Sequence, residues 1–140
     1  MEQKIKPVSC SKKRNLPDLK RMFTFHKKPG NQEIAEFTDD KFLITHVQDA
    51  LDLLAEAGVN GCSRIIIHEK NFHPDFFDLK TRLAGDILQK FSNYHVKLAV
   101  IGYFLKYESK SLQDFIRESN KGNAIYFVDS LDTAIARLSK

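Results

Sequence analysis

The sequence predicts an α/β domain of three layers, with a mixed, mainly parallel five-stranded sheet and helices on both of its faces. Three short apolar runs without alternation are the first observation: residues 64–68, residues 96–101 and residues 124–128. Such runs are typical of strands buried on both faces, as in a parallel sheet covered by helices. Segments with helical spacing separate them, which gives the alternating order of strand and helix that parallel sheets require.

An antiparallel hairpin is expected to precede the parallel strands. Apolar and polar residues alternate over residues 23–26 and again over residues 33–37, as on a half-buried strand. Pro29 and Gly30 lie between these segments and are typical of a turn. The order therefore predicts a strand pair at the sheet edge, followed by alternating helices and strands that end with a helix.

The first helix is predicted by a capping box and a glycine. Gln48 follows Thr45 by three residues, so the Thr45 hydroxyl can accept from the helix while Gln48 reaches back to its start. Apolar residues at helical spacing then run to Gly58. Glycine fits the left-handed conformation that ends many helices, and the helix is therefore expected to stop there.

The remaining helices have equally local start and stop signals. Pro74 suits a first helical turn, and Asp75 is expected to begin the second helix. Ser111 is expected to begin the third helix, which Gly122 ends, and Ser130 is expected to cap the fourth. Right-handed crossovers between parallel strands then place helices against the faces of the sheet.

The positive charge of the chain is concentrated at one end. Residues 1–21 hold seven basic and two acidic residues, a net charge of +5, whereas residues 22–140 hold 15 basic and 16 acidic residues. The first segment has neither helical nor strand periodicity, so we expect a disordered basic tail, followed by a single domain over residues 22–140. The tail lacks interleaved aromatic residues, which argues against nucleic acid as a partner.

The composition indicates a soluble, cytoplasmic protein without a membrane segment or a cofactor. No stretch approaches the roughly 20 apolar residues of a membrane span, and the N-terminus lacks the apolar centre of a secretory signal. Cys10 and Cys62 lie far apart, so neither a disulfide framework nor a metal site is expected. Cys62 precedes a buried strand, where we expect it to fill space as a small apolar residue.

Two segments resemble parts of one protein family. Residues 128–134 look like a closing strand-to-helix turn, and residues 76–78 look like the segment before a phosphorylation site. Together with the order of elements over residues 33–138, they resemble STAS domains, the sulfate-transporter and anti-sigma-factor-antagonist domains. In that family a serine or threonine follows the aspartate and accepts phosphate. Here Leu79 and Lys80 follow, and the nearest hydroxyl is that of Thr81, so the resemblance does not imply switching by a kinase.

A closer resemblance rests on three longer segments. These are residues 47–53 (VQDALDL), residues 73–81 (HPDFFDLKT) and residues 114–122 (DFIRESNKG). They look like the hallmarks of a family of small bacterial proteins catalogued as domain of unknown function 4180. The resemblance covers residues 33–138 and implies a bacterial cytoplasmic protein. It implies no activity, because the family has none assigned.

Three loops are expected to hold any binding site, because ligands of open parallel sheets lie beyond the carboxyl ends of the strands. They are residues 68–75, residues 102–109 and residues 129–130. The first loop is densest in reactive side chains, and the second adds aromatic and basic ones. The predicted ligand-binding residues are His73, Asp75, Asp78, Lys80, Thr81, Tyr103, Lys106 and Tyr107.

The first loop has two interpretations. His68, Glu69, His73 and Asp75 are candidate catalytic residues, because imidazole and carboxylate groups suit acid–base chemistry or a divalent metal. Their spacing matches neither HxH nor HExxH, so no metal site is predicted. In the other interpretation Asp75 caps a helix and His68 ends a strand. The aromatic residues of the second loop are either an exposed binding surface or a cover of the core.

We expect a non-enzymatic regulatory or binding module. The sequence contains no coherent catalytic constellation and no glycine-rich phosphate loop, and protein-binding switch domains share its STAS-like layout. Its partner is expected to be a protein or a small ligand at the carboxyl end of the sheet, and a homodimer stays open. The alternative is a small hydrolase or lyase that uses His68, Glu69, His73 and Asp75.

Overall fold

Five strands form one sheet in the computed structural model, which describes residues 22–28, 32–39 and 42–139. Structural statements below concern these residues, and the predicted tail over residues 1–21 lies outside them. The strands are β1 (Phe23–Lys28), β2 (Gln32–Phe37), β3 (Arg64–His68), β4 (Lys97–Ile101) and β5 (Ile125–Val128). They lie in the order β1-β2-β3-β4-β5, with β1 antiparallel to β2 and all other neighbours parallel. The predicted mixed, mainly parallel sheet is confirmed.

Four α-helices occur among the described residues, three on one face of the sheet and one on the other. They are α1 (Val47–Val59), α2 (Leu83–Asn93), α3 (Lys110–Lys121) and α4 (Leu131–Leu138). Each of α1, α2 and α3 joins two neighbouring parallel strands, and right-handed crossovers therefore place all three on one face. The last helix, α4, follows β5 and packs on the opposite face. None of the described helices is both long and apolar enough to cross a lipid bilayer.

Alternate residues of the central strands enter two separate cores. Ile65 and Ile67 of β3 pack in the core beneath α1, α2 and α3, whereas Ile66 packs with Ala134 and Leu138 of α4. All three isoleucines are fully buried. Burying one such side chain contributes about 1.5–3 kcal/mol to stability. Burial on both faces explains why β3 carries an unbroken apolar run rather than an alternating one.

The strand β5 occupies an edge of the sheet, although its apolar run predicts a position in the middle. Its side chains are nevertheless buried on both faces. Phe127 packs edge-on against Phe115 of α3, and Tyr126 and Val128 lie in the core with α4. The apolar run therefore reports that helices cover both faces of the strand, and it does not report how many strands flank it.

The side chain of Asn120 caps the free edge of β5. Its Nδ2 donates to the carbonyl oxygen of Phe127 at 3.1 Å, and its Oδ1 accepts from the backbone N–H of Phe127 at 2.7 Å. The amide thus makes the two hydrogen bonds that one residue of a further strand would make. An edge whose backbone groups are already bonded is protected from pairing with another chain.

The first helix begins one residue later than its predicted capping box implies. His46 is the residue that precedes the helix. Asp49 rather than Gln48 reaches back, and its Oδ2 accepts from the backbone N–H groups of Thr45 and His46 at 3.0 and 3.2 Å. Because His46 is the cap, Asp49 and not Gln48 occupies the third helical position, from which a side chain can reach back to the helix start.

The end of the first helix is also shifted. The helix α1 continues past Gly58 to Val59, and Gly61 adopts the left-handed conformation at a φ of 80°. Asn60 allows the extension, because its side-chain amide donates to the carbonyl oxygen of Glu56 at 2.8 Å. The same carbonyl oxygen also accepts from the backbone N–H of Asn60 at 3.3 Å, so backbone and side chain of Asn60 both hold the last turn.

The cap of the third helix lies two residues before the predicted one. Ser109 rather than Ser111 caps α3, and its Oγ accepts from the backbone N–H three residues later at 3.1 Å. The helix ends at Gly122, as predicted. Ser130 caps α4 in the same way, as predicted, at 3.2 Å.

The second helix is much shorter than its apolar stripe predicts. It begins at Leu83, and the preceding segment forms two 3₁₀ turns, Pro74–Phe77 and Leu79–Thr81. The prediction of an α-helix from Asp75 is therefore wrong. Any binding site built on the N-terminus of that helix is excluded with it.

Side chains that compete for backbone groups explain the 3₁₀ turns. The Thr81 hydroxyl donates to the carbonyl oxygens of Asp75 and Asp78 at 2.6 and 2.9 Å. Polar side chains that bond locally to the backbone offer it an alternative to helical hydrogen bonds. Arg82 then adopts a left-handed φ of 67°, which separates the turns from α2.

Replacing Asn120 by alanine should destabilise the domain. The substitution leaves the N–H and carbonyl groups of Phe127 without their partner, which costs about 1–3 kcal/mol in the free energy of unfolding. Urea denaturation of the full chain measures the change. The matched control is Asn123→Ala, because Asn123 is exposed and makes no side-chain hydrogen bond within the described structure. Equal effects of the two substitutions would contradict the role given to Asn120.

Candidate functional site

The carboxyl ends of the parallel strands β3, β4 and β5 lie side by side, and the three predicted loops begin there. Glu69 follows β3 directly and joins the first loop to the second. Its Oε1 accepts from the backbone N–H of Tyr103 at 3.0 Å. Its Oε2 lies 2.8 Å from the ammonium group of Lys106 and accepts from the hydroxyl of Tyr107. We call Glu69, Lys106 and Tyr107 the Glu69 network.

Gly102 gives Glu69 the space to reach the second loop. A β-carbon at Gly102 would lie 2.5 Å from both Cβ and Oε1 of Glu69. That distance is far below van der Waals contact, so a side chain at position 102 would displace the carboxylate. The requirement for glycine is steric, because Gly102 is not among the residues with a positive φ.

Hydrogen bonding holds Glu69 in its charged form. Burial raises the pKa of this carboxyl group, but the hydrogen bonds from Lys106, Tyr107 and the Tyr103 backbone, together with the positive charge of Lys106, outweigh burial and lower the pKa below its usual range. Burial and the adjacent carboxylate raise the pKa of the Tyr107 hydroxyl, which therefore stays protonated and donates. The neighbouring cavity of about 230 Å³ is smaller than the roughly 300–1,000 Å³ of ordinary ligand pockets. The Glu69 network therefore joins two loops and leaves little room for a ligand.

His68 bonds to a carboxylate on the neighbouring strand instead of joining Glu69. Its Nε2 lies 2.7 Å from Oε2 of Glu36 on β2, and Oε1 of Glu36 lies 2.8 Å from Nε2 of His26 on β1. Glu36 is only 8% exposed, so one buried carboxylate joins three adjacent strands. Sequence reasoning missed Glu36 and His26. The available signal was that Glu36 shares an alternating strand face with Ile34, where an apolar residue is expected.

The other predicted residues of the first loop cap local turns. Nδ1 of His73 accepts from the backbone N–H of Asp75 at 3.0 Å, and Oδ1 of Asp78 accepts from the backbone N–H of Lys80 at 3.2 Å. Asp75, Asp78, Lys80 and Thr81 are exposed, and His73 is half-buried. These side chains stabilise 3₁₀ turns, and none of them lines the cavity beside the Glu69 network.

The four candidate catalytic residues do not converge. His68 bonds to Glu36, Glu69 belongs to the Glu69 network, and His73 lies 3.6 Å from the carboxylate of Asp75. Within the described ranges, no three His, Cys, Asp or Glu side chains are arranged to hold a metal ion. The geometry favours the interpretation of these residues as caps and strand-end contacts.

The aromatic residues of the second loop divide between surface and core. Tyr103 and Leu105 are 61% and 77% exposed. Phe104 is buried, and Tyr107 stacks on Phe77 with 5.1 Å between the ring centroids. Phe104 and Tyr107 therefore cover the core, whereas Tyr103 is the aromatic side chain that this loop exposes.

A crevice of about 390 Å³ opens beyond the carboxyl ends of β4 and β5. Tyr103 and Leu105, after β4, lie on one side, and Asp129, Thr133 and Arg137, after β5, lie on the other. We call this space the carboxyl-end crevice. The chain leaves β4 toward α3 on one face of the sheet and leaves β5 toward α4 on the opposite face. Open α/β sheets bind their ligands at such a topological switch point.

Asp129 and Arg137 bring opposite charges to the carboxyl-end crevice. Among the described residues they form no ion pair with each other, and the Asp129 side chain has no hydrogen-bond partner. The Arg137 guanidinium lies over the ring of Tyr126, 5.0 Å from its centroid, and is 3.4 Å from the carbonyl oxygen of Asn120. Neither contact neutralises its charge. Thr133 lies one helical turn before Arg137 and adds a hydroxyl on the same face of α4.

A larger cavity of about 640 Å³ lies along α1, between that helix and the residues that lead into β3 and β4. Its lining is mainly apolar, and two of its polar side chains are already paired, since Gln48 donates to Asp52 at 3.0 Å. Cys62 is buried at this cavity, as its predicted role of apolar filler requires, and burial raises the pKa of its thiol. Nothing in the structure indicates what would occupy this groove, so we assign it no role.

Sequence reasoning found part of the carboxyl-end crevice and missed the rest. Tyr103 and the loop of Asp129 and Ser130 were among the predicted positions. Thr133 and Arg137 were not, although their spacing of four residues places them on one face of a helix. That face lines the crevice because α4 packs beside β5. The sequence pattern of α4 alone does not reveal this packing.

Replacing Gly102 by alanine should destabilise the domain by about 1–3 kcal/mol, because an added methyl group would overlap Glu69. Urea denaturation of the full chain measures the effect. Gly85→Ala is the matched control, since a β-carbon at Gly85 meets nothing within 4 Å. Gly85 lies in α2, where alanine is favoured over glycine by about 1 kcal/mol, so the control should be stabilised. Similar effects of the two substitutions would contradict the steric role of Gly102.

Replacing Glu69 by glutamine should remove stability that depends on pH. The pKa of Glu69 is lowered by folding, so its contribution is fully present above its ordinary pKa of about 4.3 and is lost as the pH falls through the folded value. The difference in unfolding free energy between the wild type and Glu69→Gln should therefore shrink from neutral to acid pH.

Urea denaturation at several pH values tests this expectation for Glu69. Glu108→Gln is the control, because Glu108 is exposed and has no side-chain partner within the described structure. A difference between wild type and Glu69→Gln that stays constant with pH, or one that Glu108→Gln reproduces, would contradict the account.

Comparison with known proteins gives a family without an assigned activity. The family model described as a domain of unknown function (DUF4180) matches residues 29–138. Searches of curated proteins and of solved structures found no match. The similarity to STAS domains and the bacterial origin therefore stay predictions. The match spans most of the described structure, including the carboxyl-end crevice, and the chain belongs to the family of domains of unknown function DUF4180.

Proposed function

We propose that this domain is a non-enzymatic binding module that takes up a small organic ligand in the carboxyl-end crevice. The observation that carries the proposal is the position of the crevice at a switch point, where the connections after β4 and β5 leave toward opposite faces. Its volume of about 390 Å³ falls within the usual range of small-molecule sites, roughly 300–1,000 Å³.

The lining of the crevice suits a ligand with both apolar and polar parts. Leu105 is 77% exposed, and a ligand that covers it removes apolar surface from water. Tyr103 adds an exposed ring beside it. Nε2 of Gln113 already donates to the carbonyl oxygen of Phe104 at 2.6 Å, which leaves its Oε1 to accept from a ligand.

The alternative of a hydrolase or lyase receives less support. An acid and a base must both lie within hydrogen-bond reach of the reacting group. His68 instead bonds to Glu36, and Glu69 bonds to the second loop. His73 and Asp75 bond to each other, so the four side chains do not share one set of contacts. We therefore favour binding over catalysis at this end of the sheet.

The regulatory part of the proposal concerns α3 and α4. Both helices contribute residues to the crevice, Gln113 and Ile116 from α3 and Thr133 and Arg137 from α4. A ligand in the crevice would bridge them and change the surface that they present to a protein partner. The homodimer and the cytoplasmic location stay predictions.

Nuclear magnetic resonance of the isotope-labelled full chain, with a set of small soluble fragments, tests the proposed function. Fragments that bind should shift the amide signals of residues 102–105 and 129–137 together. Leu105→Asp should weaken these fragments several-fold, because it replaces apolar surface in the crevice by a charge. The matched control is Val59→Asp, because Val59 is 74% exposed and lies outside the crevice. Shifts confined to other parts of the domain would contradict the proposal.

A further inference from the structure

We infer that the carboxyl-end crevice selects zwitterionic ligands of the amino-acid type, with the ligand carboxylate at Arg137 and the ligand ammonium at Asp129. The inference rests on the proposed function, since it requires that the crevice binds small molecules. It adds the chemical class of the ligand, which follows from the charges that line the crevice.

The two charges of the crevice are each available to a ligand. Within the described structure Asp129 has no ion-pair or hydrogen-bond partner, and Arg137 has no carboxylate partner. Glu69 is paired with Lys106 and Asp114 with Lys110, and Asp129 and Arg137 are the charged residues among those that line the crevice. A crevice with one unpaired charge of each sign is complementary to a molecule that carries both signs.

The geometry places the two charges around one space and keeps them apart. The Arg137 guanidinium lies alongside β5, over the ring of Tyr126 and 3.4 Å from the carbonyl oxygen of Asn120. Asp129 lies directly after β5, and no ion pair joins it to Arg137. Both groups line the same crevice together with Thr133, whose hydroxyl accepts from that of Ser130 at 2.9 Å. A ligand that fills the crevice can therefore contact both charges.

The guanidinium is held in a position suited to a carboxylate. It stacks over the ring of Tyr126, and Asn120 accepts from Nη1. These contacts use one face and one edge of the planar group and leave other N–H donors free. Arginine binds carboxylates through paired N–H donors, and such bonds to a charged group are about twice as strong as neutral ones.

The opposite wall accommodates an apolar side chain. Leu105 and Tyr103 are exposed there, and Phe104, Ile116 and Phe127 form the floor. An amino acid with an aliphatic or aromatic side chain would place its backbone charges between Asp129 and Arg137 and its side chain against this wall. Amino acids with charged side chains would bring an unpaired charge to an apolar surface and should bind less well.

Three compounds that share one ring separate the contributions of the two charges. L-Phenylalanine carries both charges, phenethylamine carries only the ammonium, and 3-phenylpropionate carries only the carboxylate. Each is titrated into the labelled full chain up to about 10 mM, where ligands with millimolar affinity become visible. We expect L-phenylalanine to shift the signals of residues 102–105 and 129–137 and to bind about tenfold more tightly than either analogue.

Two substitutions test which residue recognises which charge. Asp129→Asn should remove the advantage of L-phenylalanine over 3-phenylpropionate, and Arg137→Gln should remove its advantage over phenethylamine. The Asp129 side chain is exposed and has no hydrogen-bond or ion-pair partner within the described structure, so the first variant remains informative if the second does not fold. Asp132→Asn is the control, because Asp132 is an exposed carboxylate near the start of α4 that does not line the crevice.

The outcomes distinguish this inference from the proposed function. Equal binding of all three compounds in the crevice would overturn the selection of zwitterions and leave the binding module standing. Fragment binding without any response to L-phenylalanine would have the same meaning. If neither the fragments nor the three compounds shift the crevice signals, both the inference and the proposed function are contradicted.

Discussion

Each parallel strand of this sheet lies beside the strand that follows it in the chain, and the rest of the structure depends on this order. Right-handed crossovers between such neighbours place α1, α2 and α3 on a single face. The other face would then be exposed, and α4 covers it after β5 has ended. The connections after β4 and β5 diverge for this reason, and the carboxyl-end crevice is the space between them.

The same order explains why the most reactive-looking loop has a structural role. The end of β3 lies between β2 and β4, so its polar side chains meet neighbours on both sides. His68 meets Glu36 on the β2 side, and Glu69 meets the loop after β4 through the space that Gly102 leaves. Buried polar groups require such partners. Among the described residues β5 has a strand neighbour on one side only, and Asp129 there finds no side-chain partner.

Elements whose form follows from the burial of apolar side chains could be predicted from the sequence. Elements in which polar side chains compete with the helix for backbone hydrogen bonds could not. The three consecutive isoleucines of residues 65–67 form the centre of β3, as predicted, since both faces of that strand are covered. The apolar stripe beginning near Asp75 suggested a helix, but Thr81 bonds to the backbone and produces 3₁₀ turns. For the site, the loop of Asp129 followed from the rule for strand ends, whereas Arg137 depended on where α4 packs.

The account requires that α3, before β5, and α4, after it, pack on opposite faces of the sheet. The contacts of two adjacent aromatic rings in β5 test this arrangement most directly. Nuclear Overhauser effects should connect the Phe127 ring with Phe115 and Phe104, whose ring centroids lie 6.0 and 5.4 Å away. The Tyr126 ring should instead show contacts with the methyl groups of Ala134 and Leu138 of α4. Contacts of both rings with the same helix would place α3 and α4 on one face, and the account of the crevice would be contradicted.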